Sequence, residues 1–87
     1  MSAATQTYYA SFDAVFFKLP IALRARIEAK IDEVGAQLES FPHHRLKGSN
    51  RFRLRVGDYW IIYAFNFQEN TVHLLALGHR REIYREV

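Results

Sequence analysis

Between residues 51 and 59 the chain reads Arg51-Phe52-Arg53-Leu54-Arg55-Val56-Gly57-Asp58-Tyr59. Arginine alternates three times with a large apolar residue, and a Gly-Asp pair follows. A period of two is that of a β-strand, whose successive side chains point to opposite faces. Phe52, Leu54 and Val56 then line a face suited to burial. Arg51, Arg53 and Arg55 line the other, as a row of fixed cations that repel one another unless a counter-anion is present. A phosphate chain is the natural counter-anion.

Charge elsewhere supports this asymmetry. Residues 1–42 carry four Lys or Arg and five acids, whereas residues 43–87 carry eight and four. From Arg45 to Arg55 there are five basic residues and no acid. Such segregation suggests nucleic acid or an acidic partner more than solubility alone.

The 87 residues read as one domain, 1–87, with about half of them hydrophobic, enough for a small core. The absence of cysteine removes disulfides and thiolate metal sites. Residues 1–6 show neither a basic segment nor the apolar run of a secretory leader, and no apolar run approaches a membrane span. The expectation is a soluble cytoplasmic protein without cofactor or metal.

Thr5 to Ala10 reads as a first strand. Ser11 or Asp13 can cap a short helix ending near Leu19. Pro20 suits the first turn of a second helix. There Leu23, Ile27, Ile31, Val34 and Leu38 recur at spacings of three and four and form one apolar stripe. That helix is expected to end near Ser40, before Pro42. Residues 42–50 read as a loop, followed by strands at about 51–56, 59–66 and 71–78 and a short basic tail from Gly78. Gly57-Asp58 and Gln68-Glu69-Asn70 supply the turns. The expected fold is α+β: two N-terminal helices on one face of a small, mainly antiparallel four-stranded sheet, in the order β-α-α-β-β-β.

The second half also contains an ordered set: Leu46-Lys47-Gly48, then Arg53 to Tyr59, then Ile62-Tyr63, then Gly78-His79-Arg80-Arg81-Glu82-Ile83-Tyr84-Arg85. In this order and spacing the chain resembles the RelE/ParE superfamily of type II toxins over roughly residues 5–87. The closing His-Arg-x-x-x-Tyr pattern favours the RelE branch. The resemblance implies a ribosome-dependent endoribonuclease that cuts mRNA in the ribosomal A site and inhibits translation. It also implies a cognate acidic antitoxin that binds the toxin in a hetero-oligomer. The ParE branch poisons gyrase instead.

RNA can be cut without a metal when its own 2′-hydroxyl attacks the adjacent phosphate. That step needs a base, an acid for the leaving 5′-oxygen, and cations for charge gained at phosphorus. The sequence offers no obvious metal cluster and is consistent with this route. Arginine clamps phosphate through two parallel hydrogen bonds. By resemblance, Arg53 and Arg55 match the family's two basic strand residues, Arg80 matches the residue that contacts the scissile phosphate, and Tyr84 matches a proposed general base. Arg80, Arg81 and Arg85 would favour its phenolate. His79 is a candidate acid by chemistry, although strand alternation sets it opposite Arg80. Arg45, Lys47, Arg51, Arg81 and Arg85 are candidate RNA contacts. The chain departs from the family at Trp60, where many RelE-like sequences carry a phosphate-binding arginine. Trp60 can stack on a base or anchor a partner protein.

Other readings stand beside these. The arginine row, Arg51 above all, can be a solvated face. Lys47 and Arg45 can belong to a turn that is incidentally basic. Tyr84 can be a packing residue. The protein can also bind RNA, ribosome, gyrase or only its antitoxin without cutting anything. His43 and His44 read as solvated loop residues with no third metal ligand in view. His73 reads as a sheet residue without chemistry, and Tyr8, Tyr9, Phe12, Phe16, Phe17, Tyr63 and Phe65 read as packing.

Overall fold

The computed structural model describes residues 3–83. Its elements are β1 (Thr5–Tyr8), α1 (Ala10–Phe16), α2 (Ile21–Ala36), β2 (His44–Arg45), β3 (Phe52–Val56), β4 (Tyr59–Asn66), β5 (Thr71–His79) and α3 (Arg80–Ile83). The α+β class and the order of the main elements match the sequence reading. The sheet, however, has five strands in the order β1-β5-β4-β3-β2. β1 lies parallel to β5 at one edge, with Thr5 opposite Thr71, while the remaining pairs are antiparallel. The extra strand is β2, two residues inside the segment expected to be a loop. The supposed tail begins as the end of β5 and continues as α3.

The helical stripe does what its spacing requires. Ile27, Ile31 and Val34 are buried and Leu23 is half-buried against them; α2 ends at Ala36 rather than near Ser40, and Leu38 is buried from the turn that follows it. They meet Leu54 and Val56 of β3, Ile61 and Tyr63 of β4, and Val72, Leu74 and Leu77 of β5. Pro20 sits at the N-cap of α2 rather than within its first turn, and its carbonyl accepts from Arg24 N–H. Neither Ser11 nor Asp13 caps α1; Tyr9 occupies that position without a side-chain cap bond. Phe12 and Phe16, one helical turn apart, stack at 5.4 Å and enter the core. Tyr8, Tyr9 and Phe17 do not: all three are exposed, Tyr8 at the end of the edge strand β1 and Tyr9 and Phe17 at the two caps of α1.

The β3–β4 hairpin follows its alternation. Phe52, Leu54 and Val56 pair with Tyr63, Ile61 and Tyr59 on the core side. Gly57 takes the left-handed φ of 59° that its tight turn demands. Along β5 the apolar run conceals an irregularity. Ile62 pairs with Ala76 but Tyr63 with Leu74, so Leu75 is an extra residue that shifts the alternation. Ser11 Oγ donates to the Leu75 carbonyl and ties α1 to this bulge.

His43 is the clearest difference from the sequence reading. It is half-buried rather than solvated, and its ring lies 4.2 Å from that of Phe65. Its Nε2 is 2.7 Å from the Leu38 carbonyl and its Nδ1 is 2.6 Å from the Tyr63 hydroxyl. A carbonyl only accepts, so Nε2 carries the proton and Nδ1 accepts from the Tyr63 hydroxyl. Burial pushes the Tyr63 phenol up to about 12. No helix among the described residues is long and apolar enough to cross a membrane.

Candidate active site

β2, β3 and β4 turn one face to the helices and the other outward. Because His44 pairs with Arg53, and Arg55 with Trp60, these four side chains share the outer face. They line a shallow hollow of about 230 Å³. The Arg53 guanidinium carbon lies 4.9 Å from the centre of the Trp60 ring, a cation–π contact of order ~0.5–1 kcal/mol at an exposed site. Arg55 Nε donates to the Gly57 carbonyl at 2.9 Å. Both guanidiniums are thereby oriented, and each retains donors for an anion. Among the described residues the one ion pair is Lys30–Glu33, on α2. Arg53 and Arg55 therefore face outward without a carboxylate partner there.

Arg80 is brought to the same end of the sheet by its backbone. Its N–H donates to the Asp58 carbonyl at 2.9 Å, pinning the start of α3 to the β3–β4 turn beside Arg55. Gly78 allows α3 to fold across the strand end. A Cβ on Gly78 would stand 3.2 Å from that of Ile83, which is buried there. Arg81 N–H points to His79 Nδ1 at 3.3 Å, so the imidazole acts as an acceptor at the first turn of α3. The His79 ring also meets Tyr59 edge-on at 5.6 Å, on the core side and away from the arginine row. Arg80 and Arg81 are exposed. Tyr84 and Arg85 lie outside the described residues.

Three candidate RNA contacts lie away from the hollow. Arg45 pairs with Phe52 and holds its guanidinium 5.6 Å over that ring, on the face opposite Arg53. Lys47 is exposed in the β2–β3 turn, where Gly48 takes a φ of 71°. Arg51 precedes β3, and its N–H donates to Ser49 Oγ at 2.9 Å, so it belongs to that turn rather than to the strand row. His44 is the residue the sequence reading missed. The signal was its place in a second alternation, His43 inward and His44 outward, which becomes visible only once β2 is paired with β3.

The arrangement offers two oriented guanidiniums, an indole face, an imidazole and a third arginine at the start of α3, on the face of the sheet opposite α1 and α2. Residues 5–84 match the family described as ParE toxin of type II toxin-antitoxin system, parDE. The chain belongs to the RelE/ParE superfamily of type II toxins. Solved structures of RelE toxins share its fold. The isolated Escherichia coli RelE toxin superposes with a TM-score of 0.76 at 19% identity, covering 97% of this chain and 94% of that one. RelE in the archaeal RelE–RelB complex from Pyrococcus horikoshii OT3 gives 0.76 at 23% identity, with coverages of 93% and 99%. The RelB–RelE complex from Methanococcus jannaschii gives 0.70 at 27% identity, with coverages of 92% and 96%. No curated protein matches.

Proposed function

We propose that this type II toxin is a RelE-like endoribonuclease that cuts mRNA in the ribosomal A site and so inhibits translation in the cytoplasm. The observation that carries the reading is that Arg53 and Arg55 line one outward hollow with Trp60, while the backbone of Arg80 is tied to the β3–β4 turn that follows Arg55. Phosphate lies across Arg53 and Arg55. Arg80 holds the scissile group and stabilises charge gained in the transition state. Trp60 supplies a stacking surface in place of the family arginine, worth about 1–3 kcal/mol per base in single-strand binding. Tyr84 serves as base for the 2′-hydroxyl. The reaction needs no metal in this scheme. Lys47, Arg51, Arg81 and Arg85 extend backbone contact along the nucleic acid.

The partner expected is a cognate acidic antitoxin. Its carboxylates would neutralise the arginine row, and an apolar helix would cover exposed side chains such as Phe17 and Ile21, which are 67% and 75% exposed. RelE–RelB complexes of the structural relatives support such an assembly.

A gyrase-directed action is the second reading. It is favoured by the ParE family match and by Trp60 standing where RelE-like chains carry arginine. Purified toxin should be added in parallel to mRNA-programmed ribosomes and to gyrase with relaxed plasmid. Ribosome-dependent cleavage with unaffected supercoiling supports the nuclease. Blocked supercoiling with intact mRNA establishes the gyrase reading instead.

A further inference from the structure

We infer that His44 is the general acid of this site, delivering the proton to the leaving 5′-oxygen. The inference rests on the nuclease reading and adds to it a residue from β2. Chemistry states what is missing. Displacement at phosphorus by the 2′-oxygen expels an alkoxide, which needs a proton. Arginine is a poor proton source because its pKa exceeds ~12. His79 faces the core side, and its Nδ1 is engaged by Arg81 N–H. His44 is the imidazole that lines the hollow with Arg53, Arg55 and Trp60.

Its position is built from the chain upward. His43 is held inward by Leu38 O and the Tyr63 hydroxyl, at 2.7 and 2.6 Å. Strand alternation then turns His44 outward, and pairing with Arg53 sets it beside the guanidinium that grips Trp60. A phosphate across Arg53 and Arg55 lies within reach of that imidazole. The charged groups facing His44 are Arg53 and Arg55 of β3, and β4 contributes the uncharged Trp60. Imidazole is the side chain whose charge ordinarily changes near neutrality, which suits it to give and regain a proton in each cycle.

The step balances. The Tyr84 phenolate takes the 2′-hydroxyl proton as the 2′-oxygen bonds to phosphorus. The P–O5′ bond breaks with its electron pair on the 5′-oxygen, which receives the proton of the His44 imidazolium. The products are a 2′,3′-cyclic phosphate and a 5′-hydroxyl. Solvent restores both side chains.

The test is single-turnover cleavage on mRNA-programmed ribosomes across pH, comparing wild type with His44→Gln. The wild-type rate should fall tenfold per pH unit on the alkaline side of one limb. His44→Gln should be about 100-fold slower or more and lack that limb. An mRNA with sulfur at the scissile 5′ position, whose leaving group needs no proton, should be cut by the variant at nearly the wild-type rate. A cutting wild type with an equally fast His44→Gln, or a slow variant that the sulfur substrate does not rescue, overturns the acid assignment alone. A wild type that leaves the message intact overturns the nuclease reading and this role with it.

Discussion

The two faces of the β2–β4 half-sheet are built from the same strands and obey opposite rules. Inward, His43, Leu54, Val56, Ile61 and Tyr63 are packed among aromatic and aliphatic groups, and the polar atoms of His43 and Tyr63 satisfy each other. Outward, His44, Arg53, Arg55 and Trp60 are arranged around a shallow hollow with no carboxylate among its lining residues. The inward face is complete without a partner. The outward face carries like charges and is stabilised by an incoming anion. Stability and function are thus separated by a single residue step along each strand, and substitutions should separate them too.

The largest expected effect is on the inward face. Ile61 is fully buried, and Ile61→Ala should cost about 2–5 kcal/mol of folding stability, measured by urea unfolding. An outward counterpart, Arg53→Ala, should cost no more than about 1 kcal/mol of folding stability while lowering toxicity or cleavage by ~10²–10³-fold. A large loss of stability in Arg53→Ala would erase the distinction between the faces.

The buried phenol gives a pH-dependent contrast. The Tyr63 value is raised from 10.0 to about 12 by burial, so the neutral form is favoured in the folded state. Its contribution is fully present below pH 10 and is lost as pH rises through 12, at up to about 1.4 kcal/mol per pH unit. Tyr63→Phe should lack this component of alkaline unfolding, seen as a wild-type-minus-variant difference between pH 10 and 12. At neutral pH that variant should be less stable by about 1–3 kcal/mol, because the His43 Nδ1 loses its donor. A stability effect as small as that of Arg53→Ala is expected for Trp60→Ala. Its cation–π contact with Arg53 is worth ~0.5–1 kcal/mol, whereas single-stranded RNA affinity should fall by about 1–3 kcal/mol, read by titration at fixed salt.

The same division explains what the sequence revealed. The inward face was legible wherever burial imposes a period: two in Phe52-Leu54-Val56, and three to four in the stripe of α2. The arginine row followed from the same alternation. β2 was not legible, because two residues between Pro42 and Gly48 carry no period and become a strand only by pairing with β3. The parallel edge of β1 on β5 rests on contacts such as Thr5 with Thr71, whose sequence separation leaves no local trace. α3 resembled a basic tail, because its first turn is supported by His79 Nδ1 and the Asp58 carbonyl rather than by a standard capping sequence. Of the candidate site, Arg53, Arg55 and Trp60 were named from the sequence and line one hollow, and Arg80 was named and stands at the start of α3. Arg45 was read as a loop residue, with no face of the sheet assigned to it, and His44 was passed over, both because β2 was read as a loop.

The most direct measurement is a short pulse of toxin expression in a bacterial host, with mRNA 5′ ends mapped within minutes and Arg53→Ala run alongside. The outward face as a phosphate-handling site predicts growth arrest with new 5′ ends inside translated messages, and neither in the variant. Arrest by the wild type with messages intact would contradict it.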